Sequence, residues 1–224
     1  MFKWLRTGGD GLAEVEETFA GMLADDRHVF DLAMSARVGG ADPTTLADAL
    51  NRTEERTDEA ERRIRRLVLV HASVHGASDI PACLMYMSIA KDAERIADLA
   101  KNIFGIADTV GTPPGGALRE DLARLWDTIS PMITEAGSIL AEDDRRVAQT
   151  FVEVARDLQE HARQQIDALL RSPDEVPQAA ATVLTYRHLG RIVANLLNIV
   201  SAVIMPLDRL DYPGESSAAD ATDE

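Results

Sequence analysis

Lys91-Asp92-Ala93-Glu94-Arg95-Ile96-Ala97-Asp98-Leu99-Ala100-Lys101-Asn102-Ile103 decides the fold. Its apolar residues recur every three or four positions, and Met85, Ile89, Ala93, Ile96, Ala100, Ile103 and Val110 form one stripe. That period belongs to an α-helix with one buried side. Glu94, Asp98 and Asn102 follow at i, i+4 and i+8, in a line along the opposite, outward side.

Five more helical segments surround this one. The first runs from about Leu12 to Arg37, with Leu12, Val15, Phe19, Met22, Phe30 and Ala33 on one side, and Gly39-Gly40 ends it. Asp42-Pro43 starts the second as an N-cap followed by proline. Its stripe is Leu46, Leu50, Thr53, Thr57, Ala60, Ile64 and Leu67, and it runs down near Gly76. Asp79-Ile80-Pro81 opens the third. Gly111-Thr112-Pro113-Pro114-Gly115-Gly116 then interrupts all helical periodicity and reads as a linker.

The same order follows again. Leu118, Leu122, Leu125, Ile129, Ile133 and Leu140 mark a fourth helix. Val147, Phe151, Val154, Leu158, Ala162, Ile166 and Leu169 mark a fifth, which Ser172-Pro173 breaks, and a sixth spans about Val176 to Met205. Glu94 to Ile103 lies 96 positions before Gly190 to Ile199, with Arg, Ile, Asn and Ile at matching places. An internal duplication follows: all-α, with two tandem, similar three-helix bundles at 12–110 and 117–205, joined by the linker 111–116. A basic, aromatic segment precedes them at 1–11, and an acidic tail at 206–224 is expected to be disordered.

Composition agrees. The chain has 224 residues, 46% hydrophobic and only 4% aromatic, which favours helices over sheets. A net charge of −15 argues against nucleic-acid binding and against anionic lipid over most of the surface, and points to basic protein surfaces or cations. The lone cysteine, Cys83, forms no internal disulfide and reads as a small buried side chain in a reducing, cytoplasmic setting. Met1-Phe2-Lys3-Trp4-Leu5-Arg6 lacks the apolar core of a secretory signal. Ile192 to Leu207 is apolar but interrupted and short for a membrane span of roughly 20 residues, so it reads as a buried helix.

The acidic line on the third helix has a counterpart on the second, Glu54 and Asp58. Carboxylates at i, i+4 repel weakly unless a cation lies between them. Antiparallel neighbours would let the two pairs converge, and four carboxylates with the Asn102 amide would suit a divalent or trivalent ion. Ordinary ion pairing with Lys91, Arg95, Lys101, Arg62 and Arg65 accounts for the same residues. His71 and His75 are also at i, i+4, but no third ligand accompanies them, and a capping role at the end of the second helix is the simpler reading. No nucleophile motif, P-loop or dinucleotide glycine pattern is visible, so an enzyme is not expected.

The stretch from Lys91 to Ile103 resembles the signature helix of the PhoU family, an acidic residue and Glu-Arg-Ile-Gly-Asp followed by Asn-Ile. Glu54-x-x-x-Asp58 fits that family's other acidic motif, and the resemblance covers roughly residues 12 to 205. It implies two similar three-helix bundles and a role in phosphate homeostasis. The implied partners are a phosphate ABC transporter ATPase and a sensor histidine kinase, with membrane contact only through partners. It implies metal held by Glu54, Asp58, Glu94 and Asp98, adjoined by Asn102, the ion being iron, zinc, magnesium or nickel. Three departures stand out. The family glycine is Ala97. The arginine that often follows the acid before the third helix is missing at Asp79-Ile80-Pro81. In the second repeat Gly190 and Ala194 replace the carboxylates. One metal-competent bundle is therefore expected, the other serving partner binding or a homodimer. Glu153, Asp157, Glu160 and His161 would lack partners across the second bundle. The competing readings are an accessory docking subunit of another transporter or channel, and a metal-storing or metal-sensing helical protein.

Overall fold

A computed structural model describes residues 10–75, 77–113, 115–172 and 178–207. Six long helices follow in order: α1 Asp10–Met34, α2 Pro43–His75, α3 Ile80–Val110, α4 Ala117–Glu142, α5 Arg145–Arg171 and α6 Ala179–Ile204. No strand occurs among the described residues, so the chain is an all-α helical bundle. The N-terminal basic segment before Asp10, the acidic tail after Leu207 and the Pro173 break lie outside the described residues.

Each helix ends where local chemistry ends it. A single π-helical turn, Ser35–Gly39, closes α1, and Gly40 follows with φ +85°, a left-handed conformation that glycine adopts without penalty. Asp144 caps α5 by accepting from the backbone N–H groups of Arg146 at 2.9 Å and Val147 at 3.1 Å. Pro131 stands inside α4, where it contributes no backbone donor.

The expected stripes of α1 and α3 are buried apart from the exposed Val110, while on α2 Leu50, Thr53, Thr57 and Ile64 are buried and Leu46, Ala60 and Leu67 half-buried. Thr53 and Thr57 satisfy their buried hydroxyls by donating to the Ala49 and Glu54 carbonyls. In α5 the apolar face is rotated from the expected line. Ala148, Val152 and Ala155 are buried, while Val147 and Val154 are exposed. This helix packs chiefly on α6, so one neighbour selects its inward face.

α1, α2 and α3 pack on one another, α5 packs on α6, and α4 leans on α1 and α6. α3 is buried on two sides, against α1 and α2 and against α6. Its alanines at 90, 93, 97, 100 and 107 permit that close approach. One continuous apolar core therefore takes in side chains from all six helices. Gly190 belongs to this packing: a Cβ there would lie 3.5 Å from Ala162 Cβ on α5.

Arg37 pins the junction of the two halves. It is fully buried, and its Nε donates to Thr185 Oγ1 at 3.1 Å. Its Nη1 donates to the Gly111 carbonyl at 2.6 Å and to Gln178 Oε1 at 3.0 Å. Gln178 in turn donates to the carbonyls of Val110 and Thr112. The linker is thus clamped between the end of α1 and the start of α6. Burial pushes the guanidinium pKa down from its ordinary value.

Candidate metal-binding groove

α2 and α3 run antiparallel, so residues of rising number on one face residues of falling number on the other. Lys101 Nζ lies 2.9 Å from Glu54 Oε2, and Lys91 Nζ lies 4.0 Å from Glu61 Oε1. Between these crossings Asp58 faces the stretch from Glu94 to Asp98. The four expected acids share one groove as a result. Burial raises the Asp98 carboxyl above its ordinary value, and the charges of Glu94, Glu54 and Asp58 add to that, against an opposing contribution from Lys91. Glu54 and Glu94 keep only 13% of their side-chain surface exposed, so they line the groove rather than its rim. Asn102 lies exposed, one turn beyond Asp98.

Cations already stand along this groove. Lys91 pairs with Glu94, Lys101 with Glu54, Arg62 with Asp58 at 3.0 Å, and Arg65 with Glu61 at 2.7 Å. Both sequence readings therefore describe the same place: acids converge, and basic side chains from the same two helices neutralise them. The donors are all oxygens and suit a hard cation. Among the described residues, however, no three His, Cys, Asp or Glu side chains stand placed to hold one ion. An ion would need the lysine pairs to open and the carboxylates to turn inward.

One further acid was not anticipated. Asp26 on α1 has no exposed surface, and neither carboxylate oxygen has a hydrogen-bond partner. Burial raises its pKa well above the ordinary value, and the charges of Asp25 and Glu94 raise it further. The signal was present in the sequence: positions 15, 19, 22, 26, 30 and 33 follow the core spacing of α1, and 26 alone among them is charged.

Two histidine expectations need correction. His71 does not act as a helix-end cap in solvent. It is buried, and its Nε2 lies 2.8 Å from Oδ2 of the buried Asp79, which closes the turn between α2 and α3. The hydrogen bond from His71 is the main cause that holds the Asp79 carboxyl below its ordinary range. His75 stacks on the His71 ring, the centroids 4.1 Å apart, and its Nδ1 lies 3.3 Å from the His71 carbonyl, the helix-end contact expected of it. His161 does have a partner across the second half: its Nε2 lies 2.9 Å from Asp121 Oδ2 on α4. Tyr186 on α6 donates to the same oxygen at 2.7 Å. Burial raises the Tyr186 hydroxyl pKa far above its ordinary value, and the bond to Asp121 adds to the shift.

An antiparallel helical bundle with an acid groove between its second and third helices is the class this geometry defines. Residues 20–107 match the family model of the PhoU domain. The match covers α2, the part of α1 from residue 20 onward and nearly all of α3, including every acid of the groove. PhoU domains mark regulatory proteins associated with phosphate transport. No curated protein matched the chain.

Proposed function

We propose that this protein is a regulator of phosphate homeostasis. It binds a phosphate-transporter ATPase and a sensor histidine kinase, represses phosphate-starvation signalling, and works in the cytoplasm as a binding protein rather than a catalyst. The observation that carries this reading is the convergence of Glu54, Asp58, Glu94 and Asp98 in one groove inside the matched segment. Paired carboxylates from two neighbouring helices can exchange their lysine counter-ions for a divalent or trivalent metal when side chains rotate. Such an ion would draw α2 and α3 together and change the face they offer a partner. Asn102, one turn away, would supply a further oxygen.

Deleting the gene tests the regulatory reading. Phosphate-responsive expression should become constitutive in high phosphate, and continued repression would refute it. Metal analysis of purified wild type against Glu94→Ala/Asp98→Ala tests the groove. The variant should retain less metal, and equal content in both proteins would remove the metal from the reading.

A further inference from the structure

The turn between α2 and α3 carries an exposed apolar surface that the core does not use. Leu69, Val70 and Val74 on α2 are 69%, 62% and 71% exposed, and Ile80, Leu84 and Met87 continue the surface on α3. The buried His71–Asp79 bond holds the two stripes at one end of the molecule. Large apolar side chains this exposed on a convex tip lower no energy in the isolated chain.

The stretch of sequence that builds the tip is more basic than the chain as a whole. Residues 62–91 contain Arg62, Arg63, Arg65, Arg66 and Lys91 against one acid, Asp79, in a protein of net charge −15. Arg62 and Arg66 lie on the same exposed face of α2 as Leu69 and Val70, roughly one to two turns further from the tip. Acids do approach these cations. Arg62 pairs with Asp58 and Glu59, Arg63 with Glu14, Arg65 with Glu61 and Arg66 with Glu59. The arginines are all substantially exposed, and exposed pairs of this kind are weak enough to exchange for another anion.

We infer that the α2–α3 tip docks directly on an anionic bilayer surface. Leu69, Val70, Val74, Ile80, Leu84 and Met87 enter the boundary between headgroups and acyl chains. Arg62 and Arg66 lie about 12 Å or more behind Val74 along the helix, at the level of the lipid phosphates. Apolar insertion and electrostatic attraction are two weak signals that together give reversible binding. No helix among the described residues is long and apolar enough to cross a membrane, so the contact is peripheral. The inference needs no metal in the groove, although Arg62 also pairs with Asp58 there.

The test uses the full chain and vesicles of phosphatidylcholine alone or with about one-third phosphatidylglycerol. Wild type should co-sediment with the anionic vesicles, less so as salt rises, and poorly with the neutral ones. Arg62→Glu/Arg66→Glu should lower binding by at least about tenfold, and Leu69→Ser/Val70→Ser/Val74→Ser should abolish it. Circular dichroism checks that each variant remains helical. A fluorophore on Val74→Cys, with Cys83 buried, should blue-shift on adding anionic vesicles, while one on Thr109→Cys at the other end of α3 should not. Absence of wild-type binding, triple-variant binding equal to wild type, or equal shifts at both positions would overturn the inference. So would salt-resistant binding to both vesicle types.

Discussion

The Lys101 ammonium lies 2.9 Å from Glu54 Oε2, so a cation of the protein itself occupies the mouth of the acid groove. Any added ion must compete with it. Lys101→Met should therefore tighten binding of an added divalent ion by about tenfold, the scale of one charge at a few ångströms near a surface. The loss of this half-buried pair should cost about 1 kcal/mol of stability. Calorimetric titration of wild type, Lys101→Met and Glu54→Gln checks it, and unchanged affinity in all three would remove Glu54 from the ligand set.

Asp26 makes stability depend on pH in a direction that can be stated. Its folded pKa lies above that of the unfolded chain, so the folded state binds the proton more firmly. Stability from this group is full below the unfolded value of about 4 and is lost as pH rises toward the folded value. Asp26→Asn removes the dependence. The variant should gain on wild type by up to about 1.4 kcal/mol per pH unit across that window. Thermal denaturation of both proteins between pH 4 and pH 8 measures the difference, and a constant gap would contradict it.

The Asp79 carboxyl behaves oppositely. His71 lowers its pKa, so its contribution is present above the unfolded value and is lost as pH falls through the folded one. Asp79→Asn should lower the melting temperature at pH 7 and bring no further loss in strong acid. Hydrogen exchange should quicken at the end of α2 and the start of α3, and unchanged exchange there would show that the turn does not depend on the pair.

Arg37 satisfies three groups, one in the linker and two at the start of α6. Arg37→Lys loses the planar fork and should cost about 2–3 kcal/mol. Gly40→Ala, at φ +85°, should cost about 1–2 kcal/mol from backbone strain alone. Chemical denaturation measures both, and a cost below about half a kcal/mol for either would show that the junction tolerates the change.

Helix number and order were legible because long amphipathic stripes and Gly-Pro punctuation are local signals. Leu50, Ile64, Ile89 and Ile96 fell on their stripes and are buried. The convergence of Glu54 with Asp98 was legible only on the assumption that α2 and α3 run side by side. Partners across long separations were not. Arg37 with Thr185, and His161 with Asp121, depend on how the helices dock, which periodicity within one helix does not encode. The face of α5 was misread because Val147 and Ala148 are adjacent, and only its packing on α6 selects between them. Asp26 was readable but overlooked, since a stripe is traced through its apolar members and a charged one drops out.

α3 is a wall with two tenants. Glu94 and Asp98 look toward α2, while Asp92, two residues from Glu94, accepts a hydrogen bond from Asn198 of α6 at 3.2 Å. Glu94 and the seat of α6 therefore stand on the same turn of one helix. The distant half of the molecule thus meets the groove helix through a direct contact that does not run along the linker, so it would survive a cut in the chain at 111–116.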